Sequence, residues 1–184
     1  MRLGESRRFG DVVVTPVRVT REPLRFEGFQ TGAVIEQLTT TPVLKLWLTF
    51  ENVADDYAFP PYDAALMSHR TPLDTTDDST VANSHLTIVG SSGSATRVLN
   101  FLQTMDSNFE LIGQQSGHVA GPGETVTTFV ASSTTLPDES SLSDSSCVWR
   151  VQIRKGANSA RTAGVTTLID VAFATSDIEV TAAL

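Results

Sequence analysis

Histidine, the side chain best suited to acid–base chemistry near neutral pH and to zinc binding, is rare in this sequence, and its three copies stand far apart. The three histidines are His69, His85 and His118, and none lies in an H-x-x-x-H or H-E-x-x-H arrangement. Such spacing presents two ring nitrogens to a zinc ion from one face of a helix. Without it a metal site would have to be assembled by the fold, so the sequence predicts neither a bound metal nor a cofactor.

Nucleophilic chemistry is not indicated by the sequence either. The chain contains no G-x-S-x-G motif, and residues 90–94, GSSGS, resemble a phosphate loop only in composition because no Gly-Lys-Ser/Thr follows. The single cysteine, Cys147, alternates with Trp149 on an apolar face, whereas a reactive thiolate needs an exposed, electropositive setting. No catalytic residue is therefore predicted, and Cys147 is assigned to the core.

Three aspartates, Asp74, Asp77 and Asp78, are close enough in sequence to gather around a calcium ion. Their spacing is not that of an EF-hand loop, and a solvated acidic loop is the simpler interpretation. The surrounding residues 70–84 are aperiodic and contain a proline, which predicts a mobile surface loop.

The best candidate for a binding surface is a basic patch. Arg150, Arg154 and Lys155 point away from the apolar face of one predicted strand, and Arg161 joins them from the adjoining hairpin. On an acidic protein such a patch suits an anionic partner or the chain's own acidic loop. A plain solvated face is the alternative, since no aromatic residues alternate with the charges.

Composition limits the class of protein and of partner. The 184 residues fit one domain, predicted to span residues 1–184, and the formal net charge of -8 argues against nucleic acid as the main partner. The sequence has no 18-residue apolar run and no signal-peptide pattern. We therefore expect either a cytosolic protein or a piece of a longer one, attached to a membrane only through a segment outside this chain.

The elements that must position these residues are strands, and the central one covers residues 43–50. Its even positions Leu44, Leu46, Leu48 and Phe50 are all apolar, which is the period-two pattern of a strand with one face in a core. Turn-forming residues 51–56 and the Pro60-Pro61 pair then require the chain to leave the sheet.

Further alternating segments predict a two-sheet sandwich. Val13, Thr15, Val17 and Val19 are expected on one face of an early strand, with Pro16 marking an edge strand or a bulge. Residues 147–154 and 165–173 are predicted to form a hairpin with Cys147, Trp149, Val151, Ile153 and Ile169 inward. Residues 96–105 suit either a strand or a short helix. The predicted fold is all-β, an antiparallel sandwich of about seven to nine strands with long loops.

Four segments in this order resemble a known kind of domain: LGESRRFGDVVVTPVRV, VLKLWLTFENVADDYAFPPYDAAL, GPGETVTTFVAS, and VWRVQIRKG followed by GVTTLIDVAFATSDIEV. The chain is similar to the telokin-like, immunoglobulin-fold domains of unknown function found in bacterial secreted and membrane-anchored proteins. The resemblance covers nearly the whole chain and implies an immunoglobulin-like sandwich, export from the cytoplasm and attachment to a larger protein. It supplies no catalytic residues.

Three functional hypotheses follow from the sequence. The first is a non-catalytic, extracytoplasmic binding or scaffolding module of a larger bacterial protein, with a protein as its partner. The second is a unit that self-assembles through an exposed strand edge, for which the strand around Pro16 is the obvious candidate. The third is a hydrolase whose site is built from loops, and only the presence of Asp, His and Ser residues favours it.

Overall fold

A computed structural model describes residues 1–36, 40–63, 66, 69–70, 81–101, 108–134, 136 and 145–180. These residues form an all-β protein, as predicted, in which a 3-10 turn at Thr175–Asp177 separates the last two strands. No helix among the described residues is long and apolar enough to cross a membrane. The thirteen strands are β1 (Arg7–Phe9), β2 (Val12–Pro23), β3 (Phe26–Gly28), β4 (Pro42–Asn52), β5 (His69–Arg70), β6 (Val81–Ala82), β7 (His85–Val89), β8 (Ala95–Leu99), β9 (Phe109–Leu111), β10 (Thr125–Ala131), β11 (Ser146–Ala157), β12 (Gly164–Ala174) and β13 (Ile178–Val180).

Two larger sheets face each other in a sandwich-like arrangement. One has the order β1-β2-β4-β10, with β13 also paired to β2, and the other has the order β12-β11-β7-β8. Neighbouring strands are antiparallel except β13, which runs parallel to β2. The main hydrophobic core combines side chains from both sheets, among them Leu46 and Leu48 from the first and Trp149 and Ile169 from the second.

The central strand β4 is buried on both faces over much of its length. Leu44, Leu46, Leu48 and Phe50 are fully buried in the main core, which confirms the predicted inward face. Val43, on the opposite face, belongs to a second core completed by β3, β9 and β10. Burying a large aliphatic or aromatic side chain contributes about 1.5–3 kcal/mol, so β4 is stabilised from two sides.

The second core includes a buried lysine. Lys45 is only 5% exposed. Its ammonium lies 3.5 Å from Glu22 Oε1 and 4.8 Å from the centre of the Phe129 ring. Burial lowers the pKa of Lys45, and the Glu22 carboxylate opposes that change. A charge is tolerated there because it has both an acidic partner and an aromatic face.

The early strand β2 does not present the predicted face. Val12, Val14 and Val19 are buried, while Val13 and Thr15 are half-buried and Val17 is exposed. A bulge between Pro16 and Arg18 shifts the register, so the inward positions change parity along the strand. The bulge, one of the two predicted alternatives at Pro16, is confirmed. The other alternative, an edge strand, is wrong, because β2 pairs with β4 on one side and with β1 and β13 on the other.

Three other predictions of strand structure need adjustment. Residues Ala95–Leu99 form a strand, so the ambiguous segment 96–105 begins as strand rather than helix, and residues 102–107 lie outside the described part. The ends of the predicted loop 70–84 pair as β5 and β6, and residues 71–80, with Asp74, Asp77 and Asp78, lie outside it too. The described residues hold thirteen strands rather than seven to nine, because six of them have only two or three residues.

Candidate functional site

Four connections meet at one end of the sandwich. The first residues of β2 and of β10 both lie beside the last residues of β4, because Val12 pairs with Asn52 and Thr125 pairs with Glu51. The turn between β1 and β2 contacts the end of β11, because the Asp11 N–H donates to the Lys155 carbonyl at 2.8 Å. We call this the loop end. It gathers the β1–β2 turn, residues 53–63, residues 113–124 and the β11–β12 hairpin.

A cleft of about 270 Å3 opens at the loop end between residues 57–60 and the β11–β12 hairpin. One wall carries the aromatic rings of Tyr57 and Phe59 with Pro60, and the other carries Arg154 and Arg161. We call it the arginine cleft. Two of the four predicted patch residues therefore line a concave surface. Aromatic side chains from a distant segment accompany them there, although none alternates with the charges in the sequence.

Arg154 lies on β11 and reaches across the cleft to the loop after β4. Its Nη2 donates to Asp63 Oδ2 at 3.0 Å, and about a quarter of each side chain is exposed. The stem of Arg154 lies flat on Gly164, where an added Cβ would be 3.1 Å from its Cδ. Because Gly164 has no side chain, the Arg154 stem has room to lie against its backbone.

Arg161 closes the cleft from the hairpin. Its Nη2 lies 2.6 Å from Asp56 Oδ1, and its guanidinium stacks 5.0 Å from the centre of the Tyr57 ring. The hydrogen bond with Asp56 raises the pKa of Arg161. The hairpin holds this geometry because Asn158 Oδ1 accepts the Thr162 N–H at 2.9 Å. Two ion pairs, one per arginine, thus tie the hairpin to residues 53–63.

Tyr57 links three of the connections beneath the cleft. Its hydroxyl donates to Asp11 Oδ2 and accepts the Ala157 N–H at 3.1 Å. Loss of solvent, with the hydrogen bond to Asp11 in support, raises the pKa of Tyr57. A phenol held neutral in this way acts as a structural tie between the β1–β2 turn and the end of β11, rather than as an acid or base near neutral pH.

The other two predicted patch residues stand apart from the cleft. Lys155 is half-buried at the end of β11, where its backbone carbonyl accepts the Asp11 N–H. Arg150 lies on the outer face of the sheet and makes two hydrogen bonds to Asp170, its cross-strand neighbour, at 2.7 and 2.8 Å. Three of the four patch residues are thus paired with acids of the chain, although none of these acids belongs to the acidic loop that was predicted as a possible partner.

The Arg150–Asp170 pair makes a prediction for acid stability. Its hydrogen bonds lower the pKa of Asp170, so the pair stabilises the fold above the unfolded pKa of ~3.9 and loses its effect as pH falls through the lower, folded pKa. Because both side chains are 44–45% exposed, D170N should cost only about 0.2–1 kcal/mol at pH 7. Urea denaturation from pH 7 to pH 2 would measure this, and a cost that persists unchanged at pH 2 would contradict it.

The remaining chemical candidates do not converge among the described residues. Cys147 is buried in the core, and burial raises the pKa of its thiol to about 11. His85 lies in β7, while His118 lies in the loop before β10 with its Nε2 2.9 Å from Glu124. The side chain of His69 is outside the described part, and no group of three metal-binding side chains occurs within it.

The sequence pattern does not mark Asp63 or Tyr57 as candidates, and it places Asp56 only in a turn. No local signal marks them, since Arg161 and Asp56 are 105 residues apart and Arg154 and Asp63 are 91 apart. Only the path of the chain from β4 to the hairpin brings them together.

Fold and cleft together define an all-β protein of antiparallel sheets with an arginine-lined cleft among its loops. Comparison with family models and with curated proteins found no match. Among solved structures, the chain is similar to the yjhA protein from Bacillus subtilis, with 13% sequence identity and a TM-score of 0.44. That similarity covers 92% of this chain and 98% of the other.

Proposed function

We propose that this chain is a non-catalytic, immunoglobulin-like binding module of the telokin-like kind, which contacts a protein partner through its loop end. We further propose that it works outside the cytoplasm as part of a larger bacterial protein, as the resemblance of its sequence implies. The observation that carries the proposal is the arginine cleft, because it combines concavity, aromatic walls and charge in one place.

The strand order supports the immunoglobulin-like assignment. In that fold strands A, B and E share one sheet, and strands C, F and G share the other, with C′ added in variable-type domains. Here β2, β4 and β10 correspond to A, B and E, and β7, β8, β11 and β12 correspond to C, C′, F and G. The extra pairs β3–β9 and β5–β6 lie outside this scheme.

That correspondence bears directly on the site. The segment between β4 and β7 takes the place of the B–C loop, and the β11–β12 hairpin takes the place of the F–G loop. Both loops belong to the end that variable domains use for recognition. A rigid sandwich that displays binding groups on its loops is a common design for recognition without catalysis.

The charges in the cleft suggest the character of the partner. Arg154 and Arg161 each use one guanidinium nitrogen for the ion pair described above, and a guanidinium carries five N–H donors. Acidic side chains of a partner could therefore add to the existing pairs. Contacts of this kind are screened by salt, so binding should weaken as ionic strength rises.

Replacing both Arg154 and Arg161 by glutamate should abolish salt-sensitive binding of the partner. The double variant places new carboxylates beside Asp63 and Asp56, so it repels an acidic surface and loosens the cleft. Isolation of the partner from membrane extracts at low and high salt, followed by titration of the purified partner, would measure the effect.

The matched control is R25E/R97E, which makes the same charge change at two exposed arginines outside the cleft. Urea denaturation of both double variants separates a folding defect from a binding defect. Equal binding by the two double variants would exclude the arginine cleft, and turnover of a substrate that disappears on replacing one His or Asp would overturn the non-catalytic assignment.

A further inference from the structure

One edge of the four-stranded sheet is only partly covered by the described residues. β12 forms that edge and pairs with β11 on its inner side. On its outer side the Ala172 N–H donates to the Met1 carbonyl at 2.9 Å, and the Met1 amino group donates to the Asp170 carbonyl at 2.8 Å. No described residue pairs with Gly164, Thr166 or Leu168 from that side.

The direction of the backbone groups along β12 follows from these bonds. Asp170 and Ala172 point their polar backbone atoms outward to Met1, whereas Ala163 and Thr175 bond inward to Asn158 and Ser145. Since these groups alternate along a strand, even-numbered residues face outward. The N–H and C=O groups of residues 164, 166 and 168 are therefore directed toward the uncovered edge.

The composition of this edge lacks the usual protection against strand pairing. Residues 164–169 read GVTTLI, with no charge, no proline and a high share of β-branched side chains. Leu168 is 48% exposed, and the bulge of the hairpin lies on β11 rather than on β12. Exposed edges normally carry lysine, proline or a bulge where they must stay single. An unprotected edge of this type fits an incoming strand.

We propose that residues 164–168 are a self-association edge, on which β12 of a second copy of this chain pairs antiparallel about a two-fold axis at Thr166. The second copy is the favoured partner because the edge is self-complementary. Thr166 faces Thr166, a favourable cross-strand pair, and Leu168 faces Gly164. Both strands then direct the backbone groups of residues 164, 166 and 168 at each other, which joins the two sheets into one.

The register is limited from both ends of the edge. Moving the axis toward Asp170 brings the second copy against Met1, which already holds the Asp170 carbonyl. Moving it the other way brings the second copy against the hairpin, where Arg161 has a positive φ of 56° and the strand has ended. Thr166 is the centre that uses all three outward-facing residues. The interface shares only Gly164 with the lining of the arginine cleft, and the proposal does not depend on the proposed binding function.

A cysteine at the axis tests the register directly. Cα atoms of a hydrogen-bonded antiparallel pair lie about 5.5 Å apart, within the range that a disulfide spans. T166C should therefore form a covalent dimer under mild oxidation, since the native Cys147 is buried. L168C and A172C are matched controls on the same face of β12, because the first would face a glycine and the second lies beyond the paired segment.

Sedimentation velocity over a range of concentrations tests the association without cross-linking. T166K sets two cations opposite each other across the axis and should raise the dissociation constant of the dimer about fivefold. A172K makes the same charge change on the same exposed face outside the segment and should leave the dimer unchanged.

Four results would overturn the proposal. The first three are a monomer at every concentration, cross-linking of T166C no faster than that of L168C, and an unchanged dissociation constant for T166K. The fourth is the formation of open polymers in place of a dimer, because a two-fold pairing closes after two copies.

Discussion

Replacing Trp149 by alanine should lower the free energy of unfolding by about 3–5 kcal/mol. Trp149 is the largest fully buried side chain in the described residues, and it packs beside Phe173 with ring centres 6.5 Å apart. Its indole N–H also donates to Asn100 Oδ1 at 2.8 Å across the core. Removal leaves a cavity and breaks this hydrogen bond. Urea denaturation followed by circular dichroism would measure the loss.

Two controls divide this effect into its parts. W149F keeps most of the ring volume and removes the indole donor, so it should cost about 1–3 kcal/mol. W47A removes the other tryptophan, which is only half-buried, and should cost less than W149A. If W149A and W47A shifted the denaturation midpoint equally, Trp149 would not be at the centre of the core.

Replacing Gly10 by alanine should cost about 2–4 kcal/mol, which combines backbone strain with a steric clash. Gly10 has a φ of 57°, and an added Cβ would lie 2.4 Å from the Lys155 carbonyl oxygen. That carbonyl accepts the Asp11 N–H, so relief of the clash separates the β1–β2 turn from the end of β11. Thermal and urea unfolding of the variant would measure the cost.

The matched control for Gly10 is Gly123. Its φ of 75° would strain an alanine about as much as that of Gly10 does, but nothing lies within 4 Å of an added Cβ. G123A should therefore cost about 1–2 kcal/mol from the backbone alone. The difference between the two variants measures the close approach of the two loops. Equal costs would mean that the turn moves away from β11 without loss.

Local patterns predicted the strands whose side chains alternate without interruption. The inward face of β11, with Cys147 and Trp149, and that of β4, with Leu46 and Leu48, are buried as expected. In both strands one parity of positions is apolar over the segment that packs in the main core, so the sequence alone sets which side points inward.

Patterns failed where one residue changes the register or where distant segments meet. On β2 the valines occupy both parities, and the bulge after Pro16 decides which of them are buried. Arg154 and Arg161 were recognised as candidates because they are charged and near each other in sequence. Their partners Asp63 and Asp56 could not be, because no short-range rule pairs side chains across the whole sandwich.

Parallel pairing near both ends of the chain has a mechanical consequence. Arg2 pairs in parallel with Ala172 of β12, and β13 pairs in parallel with β2 from Ile178 opposite Val19 to Val180 opposite Arg21. A pull on the first and last residues in opposite directions acts along such strands and loads their hydrogen bonds together, in shear, rather than one after another. Force applied to the two ends of this chain would therefore be resisted by these terminal strand pairs before the core is disturbed.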